Sequence, residues 1–236
     1  MNSNAIKAFF NAIPNLLAVI PSTLILFVCI MAMGIVLGML LAWVRLRKRP
    51  IPNALVSIYI SFMRGTPLLI QVLIVYFGLR AIFIKGFGIQ GANHWPPAFF
   101  AFIAYGLNLS AFLCETFRSA YLSVDHGQIE AGLSINMTKG QIFRRVILPQ
   151  GARIALPNMG NLLIDDYKAL SLAFSIGLVE LMGRGNGLSN MVQGVGAIGI
   201  YLAVALLYWV VCYALSKLLD RIEWSLSKDL RAVNRA

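Results

Sequence analysis

Asp165, Asp166 and Lys168 are the residues of this chain best placed to do chemistry, because they interrupt an otherwise apolar run over residues 154–179. An ionisable group in such a run is costly unless it has a partner or faces a wet cavity. Asp165 and Lys168 are three apart and meet on one helix face, while Asp166 points about 100° away. Two readings follow: an ion-pair cluster at an interface between subunits, or a carboxylate that receives a substrate ammonium group. Arg64 lies in another apolar run, directly before Gly65, Thr66 and Pro67. That combination predicts a broken helix whose freed backbone groups need protein or water partners, with Arg64 close to a gate. Glu115 and Arg118, again three apart, read as a local ion pair. His94 and His126 have no companions suited to a metal, and Cys29, Cys114 and Cys212 fall singly in apolar segments, where they fill space as small hydrophobes. No nucleophile–base spacing is present, nor any Gly-x-x-x-x-Gly-Lys-Ser/Thr phosphate loop. The chain is therefore not expected to be an enzyme.

The elements that hold these residues are hydrophobic helices. Of 236 residues, 59% are apolar and 12% charged, against about 25% charged in ordinary soluble domains. Charge-free runs cover residues 8–44, 86–114 and 185–216, each longer than the roughly 20 residues that cross a bilayer as helix. The pattern predicts an all-α polytopic membrane protein with five spans, near residues 16–44, 54–79, 98–117, 154–179 and from about 197 to 216. Residues 80–97 and the glycine-rich stretch 183–196 read as loops. Gly34, Gly38 and Ala42 form a small-residue ridge suited to close helix contact. The first span ends at Arg45, Arg47, Lys48 and Arg49, with Pro50 and Pro52 as breakers. Net charge is +11, from 20 basic and 9 acidic residues; its clustering between spans points to a membrane rather than to nucleic acid. Residues 45–53, 118–153 and 217–236 carry four, five and five basic residues, against four on the opposite side. The positive-inside rule then puts the amino terminus outside and the carboxyl terminus in the cytoplasm. Residues 1–15 form an extracellular segment, 16–219 the membrane domain and 220–236 a cytoplasmic tail.

The excursion over residues 118–153 is more organised than a linker requires. Asp125 and Gln128, then Thr138 and Gln141, have capping-box spacing, which predicts short helices over about 126–135 and from 139 through Ile147. Asn136 suits a left-handed turn between them, and Pro149 is expected to interrupt the second helix. The result is a compact knob whose apolar residues need covering, by the protein's own span ends or by a partner.

Glu130-Ala131-Gly132, then Asn136, then Ile147-Leu148-Pro149 resembles the EAA signature of permease subunits in bacterial ATP-binding-cassette importers. In that pattern a second alanine stands where Gly132 is and a glycine where Asn136 is. The runs from Arg64 to Gln71, Glu115 to Arg118 and Phe143 to Gln150 are similar to the polar amino acid uptake branch, the histidine/glutamine/arginine group. Leu172 to Gly177 and Val179 to Gly183 are similar to cystine-importing members. The branch usually has Lys-Asp-Thr-Ser-Leu where this chain has Lys168-Ala169-Leu170-Ser171-Leu172, so its acid has moved ahead of the lysine. The resemblance implies a type I importer permease fold in a bacterial cell membrane, carrying cystine or another polar amino acid. It also implies a second permease subunit, identical or related, an ATPase dimer that binds ATP and Mg2+, and an extracellular or lipid-anchored substrate-binding protein. Gly127, Glu130, Ala131, Gly132, Asn136, Leu148 and Pro149 would form the coupling helix region. Arg64, Thr66, Asp165, Asp166, Lys168 and Ser171 would line the substrate pathway.

Overall fold

The computed structural model describes residues 3–47 and 49–233, with side chains through residue 225. Lys48 and residues 1–2 and 234–236 of the expected terminal segments lie outside the described residues. Every regular element among them is helical: α1 (Ser3–Leu17), α2 (Ile20–Leu46), α3 (Pro50–Gly65), α4 (Leu68–Gly86), α5 (Pro97–Leu122), α6 (His126–Ser134), α7 (Lys139–Ile142), α8 (Leu148–Ala169), α9 (Leu181–Met191) and α10 (Ala197–Val233). Four stretches among the described residues are long and apolar enough to cross a membrane: Ile20–Leu46, Leu68–Gly86, Pro97–Leu122 and Ala197–Ser225. The expected fourth span corresponds to α8 and a 3-10 turn over Leu170–Ile176, which contain Arg153, Asp165, Asp166 and Lys168.

The second apolar run breaks where Gly65, Thr66 and Pro67 predict it, into two helices, because Thr66 and Pro67 are extended (ψ 147° and 132°) and Pro67 cannot donate to the turn before it. The elements differ from expectation in four places, each for a local reason. The second half of that run continues to Gly86 through widened π turns over Ile74–Leu79 and Ile82–Gly86, so the loop begins later than residue 80. The amino-terminal segment is the helix α1, separate from α2. Pro149 does not interrupt: a π turn over Phe143–Ile147 leads directly into α8, and the proline falls in the first turn, where its missing N–H costs nothing. The glycine-rich stretch contains α9, capped by Glu180, whose carboxylate accepts from the backbone N–H groups of Met182 and Gly183 at 2.8 and 2.7 Å.

Helix α5 is the axis of the molecule: 61% of its most apolar window is buried, against 22% for α2. Lipid tails supply little hydrophobic drive between helices, so close packing must. The small-residue ridge does this: a Cβ on Gly34 would lie 2.7 Å from Leu109, and one on Gly38 2.8 Å from Leu113. These contacts run α2 parallel to α5. The hydrogen bonds Asn158–Thr116 and Tyr105–Ala169, both 2.8 Å, run α8 antiparallel to it. Gln71 beside Asn108 and Tyr76 beside Phe100 do the same for α4. Gly160 against Leu219 and Tyr167 against Tyr208 set α10 antiparallel to α8. Helices α2, α5 and α10 thus run one way and α4 and α8 the other. Helix α1 crosses the start of α10, where a Cβ on Gly199 would run into the Ala5 carbonyl oxygen.

Candidate functional site

Two regions collect the chemistry-bearing residues. In the knob, Asp125 caps α6 by accepting from the Gly127 N–H at 2.6 Å, an Asx contact without the reciprocal Gln128 bond of a full capping box. Asn136 takes φ 60°, as its residue type allows. Thr138 and Gln141 form the complete box at α7: the Thr138 N–H donates to Gln141 Oε1 at 2.8 Å, and the Gln141 N–H to Thr138 Oγ1 at 3.3 Å. Val124, Ile142 and Ile147 form the knob's own small core, with Ile129 and Met137 against it. Gly132 is buried in that core, where a Cβ would meet Ile142 at 3.0 Å. Its smallness therefore serves contact between α6 and α7. Gly127, Glu130, Ala131, Asn136 and Pro149 are exposed, together with the large apolar side chains of Leu133, Ile135, Phe143 and Leu148. An apolar surface on a knob that already has its own core suits a partner.

The second region is a layer of polar groups around α5. Between the Asn158–Thr116 and Tyr105–Ala169 rungs both helices advance eleven residues. Three residues in from Tyr105 and from Ala169, Asn108 and Asp166 therefore stand at one level. Asp165 and Lys168 form an ion pair of 2.7 Å, with their side chains 68% and 54% exposed. Ser171 follows three residues later in the 3-10 turn and is half-buried. Asp166 points the other way into the protein, 7% exposed, and its Oδ2 has no protein partner. The structure thus separates the two neighbouring acids that periodicity placed on different faces.

Arg64 is exposed at the end of α3, with its guanidinium 5.5 Å from the Phe112 ring centroid. Thr66 is spent on the break: its hydroxyl donates to the Phe62 carbonyl at 2.8 Å. Glu115 binds Arg118 at 2.9 Å, as expected, and also reaches Arg45 at 3.5 Å, while Arg45 bonds Ser57. That network joins the ends of α2 and α5 to α3. Sequence reasoning missed Gln71 and Asn108, buried amides that meet at the break, and Glu180, 1% exposed and bonded to the Tyr208 hydroxyl. A lone amide in an apolar run was the available signal for the first two, and an acid just ahead of a glycine-rich stretch for the third.

Residues 34–228 match the family model described as "Binding-protein-dependent transport system inner membrane component". The chain is 37% identical to the probable amino-acid permease protein YxeN of Bacillus subtilis, over 98% of this chain and 100% of that protein. It is 39% identical to the L-cystine transport system permease protein TcyL of the same species, over 84% of this chain and 82% of that one. Its fold matches a crystal structure of an amino acid ABC transporter with histidines at a TM-score of 0.80 and 28% identity, covering 94% of this chain and 99% of that one.

Proposed function

We propose, for a chain that belongs to the family of binding-protein-dependent transport system inner membrane components, a translocation pathway that runs along α8 past Asp165 and Lys168. The chain is the membrane permease component of an amino-acid importer of the ATP-binding-cassette type. ATP hydrolysis resides on a separate polypeptide, which would hold ATP and Mg2+. One observation carries the pathway reading: an exposed acid–base pair on a helix whose other faces are buried against α5 and α10. A charged pair facing lipid is expensive, so this face meets water, substrate or a second permease subunit. An amino acid brings an ammonium and a carboxylate. Asp165 would receive the ammonium, with Lys168 released from it, and Arg64 would supply the positive centre for the carboxylate. Thr66 and Ser171 border this route, and Asp166 supports it from inside. Cystine or another polar amino acid is the substrate class, supported by the printed activities of relatives such as TcyL.

Five crossings, with the amino terminus outside and the knob and carboxyl terminus in the cytoplasm, are supported by the basic-residue bias and by the alternating helix directions. The exposed apolar face around Glu130 and Ala131 would seat on the ATPase dimer and pass its closure through the π turn into α8. A substrate-binding protein would deliver the amino acid from the outside. Affinity purification of the tagged permease should bring down an ATPase, and the intact mass should contain two permease chains. In proteoliposomes, ATP-dependent uptake of radiolabelled cystine, glutamine, histidine or arginine should require the binding protein. Uptake without an ATPase subunit, or an intact complex with one permease chain, would overturn this reading.

A further inference from the structure

The break between α3 and α4 leaves backbone carbonyls of the last α3 turn without helical donors, because Thr66 and Pro67 are extended and proline has no N–H. At membrane depth such groups cannot turn to bulk water. Two buried amides answer them. Gln71 Nε2 donates to the Met63 carbonyl at 2.9 Å, and reaches the Thr66 carbonyl and Oγ1 at 3.1 and 2.8 Å. Asn108 Nδ2 donates to the same Met63 carbonyl at 3.2 Å and to Gln71 Oε1 at 2.9 Å, which uses both its hydrogens. Gln71 is 3% exposed and Asn108 8%, so neither is open to a solute in this conformation. One turn further along α5, Phe112 faces the Arg64 guanidinium. Two successive turns of α5 therefore hold the residue before Arg64 by its backbone and Arg64 itself by its charge.

We infer that Gln71 and Asn108 are positioning residues, a clasp across the helix break that aims Arg64 at the carboxylate end of the amino acid. This rests on the reading of Arg64 as the substrate's positive centre. The test is a double-mutant cycle in proteoliposomes of the complete transporter, with radiolabelled cystine, glutamine, histidine and arginine as probes and uptake normalised to assembled complex. Gln71→Met alone should raise the apparent KM about tenfold, as should Arg64→Gln. The double variant should be no worse than Arg64→Gln, since residues acting as a unit are non-additive. The exchange Gln71→Asn with Asn108→Gln, which restores donors on both sides, should recover part of the loss that either substitution causes alone. Losses that multiply in the double variant, or a Gln71→Met transporter with normal KM, overturn the clasp while leaving the role of Arg64 standing. Normal uptake by Arg64→Gln instead overturns the Arg64 reading itself. Should Gln71→Met fail to assemble, Asn108→Ser is carried through the same cycle, with the same outcomes deciding.

Discussion

Asp165 and Asp166 are adjacent in the chain, yet one is exposed beside Lys168 and the other is buried with a free carboxylate oxygen. Their substitutions should therefore fail differently. An ordinary exposed ion pair contributes about 0.2–1 kcal/mol to stability, so Asp165→Asn should leave expression and assembly intact. A hydrogen bond to a charged partner contributes about 1.5–3 kcal/mol, so the same substitution should weaken apparent substrate affinity roughly 10–150-fold. Asp166→Asn should alter yield and thermal stability of the assembled complex with little change in apparent KM. Radiolabelled uptake and size-exclusion profiles of the two variants check this, and equal apparent affinities in parent and Asp165→Asn would remove Asp165 from the pathway. The charges themselves were legible from the sequence. Their division between surface and interior followed only in angle, because helix periodicity gives direction around an axis but not what lies there.

At the scale of elements, the knob shows how one motif serves two purposes. Gly132 is packed inside against Ile142, while Glu130 and Ala131 stand on the exposed face. Gly132→Trp should unfold the knob, since overpacking a filled core costs about 1–3 kcal/mol and a tryptophan exceeds the space of a single Cβ. Ala131→Trp should leave the knob folded and abolish uptake by keeping the ATPase from seating, and Glu130→Lys should do the same through charge. Protease resistance of residues 118–153 in the solubilised permease separates the two classes, and crosslinking to the ATPase reads the docking. Normal coupled uptake by Ala131→Trp would place the docking surface elsewhere. The caps, the left-handed Asn136 and both short helices were readable because they depend on neighbours within four residues. The continuation through Pro149 was not, because it depends on a widened turn that accepts the proline.

For the whole molecule, alternating helix directions and the basic-residue bias give one testable orientation. In a variant without native cysteines, a cysteine at Lys85 should react with a membrane-impermeant thiol reagent added outside. One at Lys139 should react only after the membrane is opened. Reaction of both from outside would mean that α5, which separates the two positions in the chain, does not cross. The large apolar side chains left exposed on α2, α3, α4 and α10 are consistent with a subunit surrounded by lipid and by a second permease chain.

The all-α membrane class, the ends marked by arginine and proline, the capped knob and the family resemblance were determined by the sequence alone. Each rests on composition or on spacing within a few residues, and a bilayer forces long apolar runs into helices. Tertiary structure decided the rest. Gly34 and Gly38 could be read as a ridge, but only the fold pairs them with Leu109 and Leu113 of α5. Gln71 and Asn108 are 37 residues apart and carry no mutual signal in the chain; they meet because α4 packs antiparallel to α5 and a helix break leaves carbonyls that both amides can reach. Long-range pairing of this kind depends on which helix lies beside which, and hydrophobic runs of nearly equal character do not encode that choice locally.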